Sequence, residues 1–334
     1  MSEAAGPSGP PVTTGLQRLH RITWQSVLQV ALLIAVVSVM ISSVTDLDLS
    51  ELSAELQGAS WWLIGLGVVI AQAPRLSQTA SALGAASRPL AAWPMYLLQL
   101  ALGYITLAVP TRAGSVAMNV RFFQKQGFSA GAALAKGLVG SVAGLLVQSA
   151  LLLGLLVFTP RSLHFDLAAP DLPEWRTVLG VLIAVTVVLA AASMALPERR
   201  RQLRDWERSL SAEGHHTVRG LGSPRRLVLL LGGSLATILL FSATLGMLAA
   251  ALGTTVPAAD LVVIIISVTL LSSLVPVPGG IGVVEGGLTF GLVAAGMPEG
   301  AAFATAVLYR ASTFFLPATW GYFAFRHLEH HDYL

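Results

Sequence analysis

The sequence contains no cysteine, which excludes disulfides, thiolate metal ligands and cysteine nucleophiles together. Charge is almost as scarce. Only 11% of the 334 residues are Asp, Glu, Lys or Arg, whereas a soluble domain carries about 25%. Of seven histidines, His215, His216, His330 and His331 fall in polar loops or the tail, as solvated chain does. No metal, other cofactor or nucleic-acid partner is expected.

What the chain has instead is apolar length: 54% of its residues are hydrophobic, and the mean hydropathy is +0.73. That composition belongs to a lipid-facing protein. Residues 1–20 are rich in Gly, Pro, Ser and Thr and read as a disordered cytoplasmic tail. Residues 21–328 read as a single transmembrane domain. The first apolar run, Val27–Val44, follows Arg18 and Arg21. It is longer than the roughly 7–15 residues of a signal-peptide core, so it reads as a retained first span.

A helix needs about 20 apolar residues to cross a bilayer. Full-length candidates are residues 24–44, 59–80, 129–158, 175–196, 226–252 and 300–325. Two further apolar regions, 91–127 and 260–297, are each interrupted by Pro and Gly. Orientation follows from Lys and Arg in short loops. Loop 197–226 carries eight arginines, among them Arg199, Arg204 and Arg219, and is therefore cytoplasmic. The N-terminus and loop 75–90, with Arg75 and Arg88, lie on the same side. The segment after the first span, with Asp46, Asp48, Glu51 and Glu55, lies outside. Span 175–196 must then begin outside, so region 91–127 has to start and end inside. It reads as a re-entrant hairpin that turns at Pro110–Gly114. By the same reasoning region 260–297 starts and ends outside, and the C-terminus is cytoplasmic. The expected fold is an all-α polytopic membrane protein of the cell membrane (the bacterial-type inner membrane), with about six spanning helices and two oppositely oriented re-entrant helical hairpins.

Two sequence matches point to an internal repeat. The segment 127–135 (GFSAGAALA) aligns with 296–304 (GMPEGAAFA) at an offset of 169 residues. The segment 110–114 (PTRAG) aligns with 278–282 (PGGIG) at an offset of 168. Units 59–158 and 226–325 would then be inverted repeats, an arrangement found in secondary transporters with a substrate site near the midplane.

Ionisable groups at membrane depth are costly and mark sites. Arg112 lies in the first turn, Glu285 seven residues beyond Pro278, and Lys136 early in span 129–158. Arg310 lies ten residues into the last span, at about 15 Å depth for a helical rise of 1.5 Å per residue. Glu285 has two candidate partners, Arg310 and Arg112; one pairing, Glu285–Arg310, would also serve as a plain bridge between hairpin and span. The excess positive charge, together with the helix N-terminus after the second turn, suits a phosphate-bearing ligand. Pro110, Gly114, Pro278, Gly279, Gly280 and Gly282 are the expected turn and hinge positions. Trp61, Trp62, Trp93, Trp175 and Trp320 are expected interface anchors.

Pro276-Val-Pro-Gly-Gly-Ile-Gly-Val-Val-Glu285, followed by Gly296, Arg310, Pro317 and Gly321, resembles the C-terminal signature of the lysylphosphatidylglycerol synthase transmembrane-domain family. Pro110-Thr-Arg-Ala-Gly114 is similar to its earlier Pro-x-Arg-x-Gly motif. Ser115 stands where the family pattern has an acid, and Ala135-Lys136-Gly137 stands where it has an acidic/basic pair. Ser115 thus joins Arg112, Lys136, Glu285 and Arg310 as a candidate substrate-binding residue. The resemblance implies a flippase-like membrane domain that moves a lipid between leaflets, the lipid being an aminoacylated phospholipid in fused enzymes. Without the transferase domain the chain is expected to be no enzyme. Its candidate partners are a membrane phospholipid or polyprenyl-phosphate lipid, and a separate enzyme that supplies it. Two other readings stand beside this one. Asp46-Leu-Asp48 could serve a membrane-embedded polyprenyl-phosphate-dependent transferase, or the chain could be a channel or non-transporting scaffold.

Overall fold

The computed structural model describes residues 58–86, 88–108, 112–158, 223–274 and 278–334. The expected spans at 24–44 and 175–196, the acidic segment with Asp46 and Asp48, Trp175, Pro110 and most of the basic loop lie outside the described residues. Among the described residues every regular element is helical. In chain order these are α1 (Trp61–Ile70), α2 (Ala73–Gly84), α3 (Ala92–Ala108), α4 (Arg112–Lys125) and α5 (Ala130–Phe158). There follow α6 (Pro224–Ala251, with a π turn at Val228–Gly232), α7 (Ala258–Leu274) and a 3₁₀ turn (Pro278–Gly280). The chain ends in α8 (Val283–Ala294), α9 (Glu299–Arg310) and α10 (Leu316–His330), the last two joined by a π turn at Ala311–Phe315. Among the described residues, α5 and α6 are long and apolar enough to cross a membrane.

The halves present a related order: α1–α2, the pair α3–α4 and then α5 in the first, and α6, the pair α7–α8 and then α9–α10 in the second. The packing follows suit. Helix α2 meets α3, α3 meets α4, and α4 meets α5; in the second half α6 meets α7, α7 meets α8, and α8 meets α9. The matched glycines Gly127 and Gly296 do the same work. Each takes a left-handed φ, +80° and +89°, where a side chain would strain the backbone. Beyond each, an amide reaches five residues back, Phe128 to the Phe123 carbonyl and Met297 to that of Leu292, both at 3.0 Å. This closes α4 and α8 with the same left-handed stop.

The ends of the two pairs gather in separate clusters. Leu90, Phe128, Leu328 and Leu334 share one packed cluster, and Lys125 lies 3.8 Å from Asp332 in the tail. Ala59, Leu252, Met297 and Ala301 share another, and the Ser60 amide donates to the Ala251 carbonyl at 2.8 Å. Between them α2 and α6 touch backbone to backbone. A Cβ on Gly84 would stand 2.4 Å from the Leu230 nitrogen, and one on Gly233 2.6 Å from that of Ser81. The seam is stitched by Ser77–Thr237 and Ser81–Ser234 hydroxyl contacts of 2.7 and 3.0 Å, the small-residue packing that lipid-embedded helices use. Gly321 lets α10 lie equally close to α3. Outward, Trp61, Trp62, Trp93, Phe290, Trp320 and Phe323 are all more than half exposed, an apolar exterior suited to lipid rather than water.

Three details differ from expectation. The span predicted over 59–80 is divided at Ala71-Gln72, because Pro74 in the first turn of α2 has no amide to continue α1. The first turn is shorter than 110–114: helix resumes at Arg112, so Gly114 and Ser115 are helical. The last span is longer than 300–325 and carries a π turn, whose Ser312 carbonyl accepts from Gln72 Nε2 at 3.1 Å.

Candidate functional site

At the second turn three glycines reverse the chain: Gly279, Gly280 and Gly282 have φ of +65°, +65° and +86°. Glu285 is the third residue of α8, and its Oε2 accepts from the Gly282 amide at 2.7 Å. That satisfies one orphan donor of the helix start and sets a negative charge at its positive end. The other oxygen, Oε1, accepts from Arg310 Nε at 2.8 Å. Arg310 Nη2 donates to the Gly279 carbonyl at 2.7 Å, and the guanidinium lies 4.2 Å from the Phe314 ring centroid. Both side chains are nearly sealed, at 8% and 12% exposure. One arginine therefore ties the end of α9 to both sides of the turn. A methyl on Gly279 would meet Phe314 at 2.8 Å in a conformation that disfavours any side chain. Gly279→Ala should therefore cost about 1–2 kcal/mol from backbone strain, plus the clash, and lower the thermal midpoint in detergent. Gly286→Ala, with open space around it, should not.

Lys136 and Ser115 sit elsewhere, in the first half. Lys136 is buried (8% exposed), with Nζ 3.6 Å from the Phe123 ring centroid, and makes no ion pair among the described residues. It lines a polar, open-sided chamber of about 350 Å³ whose walls come from α2, α3, α4, α5 and α6. Gln78, Gln99, Asn119 and Gln148 line it too, and the glycines 137, 140 and 144 leave room along α5. Beside it lies an apolar groove of about 540 Å³, with Leu102, Ser115, Val116, Leu134 and Leu138 in its walls. Asn119, Gly137 and Ser141 belong to both. The pair thus combines a polar space holding a cation with an adjoining apolar one.

Residues 26–321 match a family model described as the lysylphosphatidylglycerol synthase TM region, a stretch that takes in both helical pairs, the Arg310 clamp and Lys136. The chain belongs to this family. No curated protein matches it. As a member of the lysylphosphatidylglycerol synthase TM region family it is a membrane protein, and its apolar helices and exterior agree with that.

Of the expected site residues, the structure brings Glu285, Arg310, Gly279, Gly280 and Gly282 together at one turn. It places Lys136 in the chamber and Ser115 in the groove. Arg112 opens α4, with its side chain outside the described residues, as is that of Pro278. Arg310 lines neither cavity. Helix α3 touches both the chamber and the 278–280 turn, and so links the two places. The residues that sequence reasoning missed are the amides Gln78, Gln99, Asn119 and Gln148. For two of them the signal was available: Gln99 and Gln148 are neutral hydrogen-bonding side chains inside apolar helices, where each needs a partner.

Proposed function

We propose that this protein carries a phosphate-bearing lipid between the two leaflets of the cell membrane, without catalysing a reaction. The observation that supports this most is the polar chamber with buried Lys136 opening on an apolar groove. A lipid is amphipathic in the same way. Its phosphate would face Lys136 Nζ, its headgroup the chamber amides, and its chains the groove past Ser115 and Leu138. A buried ammonium with no carboxylate beside it among the described residues is costly, and a bound phosphate relieves that cost. Any covalent tailoring of the lipid would fall to a separate enzyme.

In this reading the two helical pairs are re-entrant hairpins entering from opposite faces, and units 59–158 and 226–325 are inverted repeats. The related element order, the parallel helix stops at Gly127 and Gly296, and the gathering of the pairs' ends in separate clusters support it. So does the closeness of Lys125 to Asp332, which brings the end of the first pair to the C-terminal tail, cytoplasmic in this reading. The Arg310–Glu285 clamp would stiffen the second hairpin, so that one repeat rocks against the other as a body and exposes the headgroup to alternate leaflets. The test is movement of fluorescent phosphatidylglycerol in proteoliposomes. Vesicles containing the protein should lose label to an external quencher at least about tenfold faster than protein-free vesicles. Equal rates would refute lipid transport.

A further inference from the structure

We infer that the chamber selects an anionic phosphodiester headgroup bearing hydroxyls, and that it rejects headgroups carrying an added ammonium. This rests on the lipid-carrying reading and specifies its substrate class. Among the described residues the lining holds one cation, Lys136, and no carboxylate. A second cation stands behind the wall: Arg75 Nη1 donates to Gln78 Oε1 at 3.0 Å. That bond engages one lone pair of the Gln78 oxygen and leaves its NH₂ as donor. Glu285, the acid at the second turn, is committed to Arg310 and the Gly282 amide and does not line the chamber.

The rest of the lining is neutral, and three of its amides are unspent. Gln99, Asn119 and Gln148 make no hydrogen bond to the protein among the described residues. Each amide offers two donors and an acceptor, which matches a hydroxyl that both donates and accepts. The hydroxyls of Ser81, Ser234 and Thr237 are already bonded across or along the α2–α6 seam. Glycerol or sugar hydroxyls would therefore pair with the amides, and the phosphodiester with Lys136. An ammonium only donates. It would find amide oxygens but no carboxylate, and would sit in a small cavity with a like charge already present, which disfavours it.

Free phosphate esters share the headgroup chemistry but lack the chains that would occupy the groove, so they separate the two sources. The experiment is displacement of fluorescent phosphatidylglycerol from the purified full chain in detergent. The competitors are phosphatidylglycerol, phosphatidylinositol, lysylphosphatidylglycerol and free glycerol phosphate. Phosphatidylglycerol and phosphatidylinositol should compete within about threefold of each other. Lysylphosphatidylglycerol should be at least about tenfold weaker, and glycerol phosphate should not compete at millimolar concentration. Lysylphosphatidylglycerol competing as well as phosphatidylglycerol would overturn the headgroup inference and leave lipid carrying intact. Specific competition by glycerol phosphate at lipid-like potency would overturn the lipid source. Failure of every lipid to displace the probe would defeat the underlying reading as well. Gly140→Leu places a side chain in the open chamber without removing a polar group. It should abolish specific binding while the protein stays folded, and full binding by that variant would place the site elsewhere.

Discussion

Arg310→Ala should lower the thermal unfolding midpoint more than any other single change at the second turn. It removes both the counter-charge of Glu285 and the donor to the Gly279 carbonyl. Stranding one member of a buried ion pair costs about 3–5 kcal/mol. Glu285→Gln should cost less, because the amide oxygen still caps Gly282 or accepts from Arg310. The double variant Glu285→Gln, Arg310→Met should recover much of the loss, since it leaves no stranded charge and keeps a cap on α8. The measurement is thermal unfolding of each purified variant in the same detergent. A stable Arg310→Ala protein, or a double variant as weak as Arg310→Ala, would show that the clamp does not hold the turn.

The second large effect is at Lys136 and has the opposite pattern. Lys136→Met should reduce transport of phosphatidylglycerol about 10- to 150-fold, the range that corresponds to losing a charged hydrogen bond worth about 1.5–3 kcal/mol. Stability should hold or rise, because a buried ammonium without an anionic partner is replaced by an apolar chain of similar length. Lys136→Arg should retain part of the transport. The contrast is diagnostic: a structural lysine would lose stability and activity together, as the Arg310 clamp does. Paired assays of unfolding and proteoliposome transport on the same preparations separate the two.

Sequence alone located the two broken apolar regions well, because Pro and Gly stand out against Val, Leu and Ile, and each region folds into two helices. The Glu285–Arg310 pairing was also within reach, as one of two options, because residues 226–325 hold only five charged residues. Which option holds decides the chemistry. With Nε on Glu285 and Nη2 on Gly279, Arg310 serves as a brace, whereas the expectation that favoured a ligand put it against phosphate. That outcome depends on the Phe314 ring and on the π turn that follows Arg310, and neither leaves a periodic trace in sequence. The chamber was less visible still. Gln78, Gln99, Asn119 and Gln148 come from four different helices and carry no charge, so hydropathy and charge counting pass over them. Lys136 was noticed as an isolated cation, but its setting required α2, α3, α4 and α6 to close around it. Ser115 was singled out for an unusual residue in a motif, and it lies in the apolar groove instead of in a turn, because α4 already begins at Arg112.

The most direct test is a structure of the protein in nanodiscs containing phosphatidylglycerol. Density for one lipid should show its phosphate against Lys136 Nζ, its glycerol among Gln99, Asn119 and Gln148, and its chains in the groove beside Leu102 and Leu138. Lipid density at the Gly279–Gly282 turn with Arg310 released from Glu285, or a chamber filled only by water at saturating lipid, would contradict it.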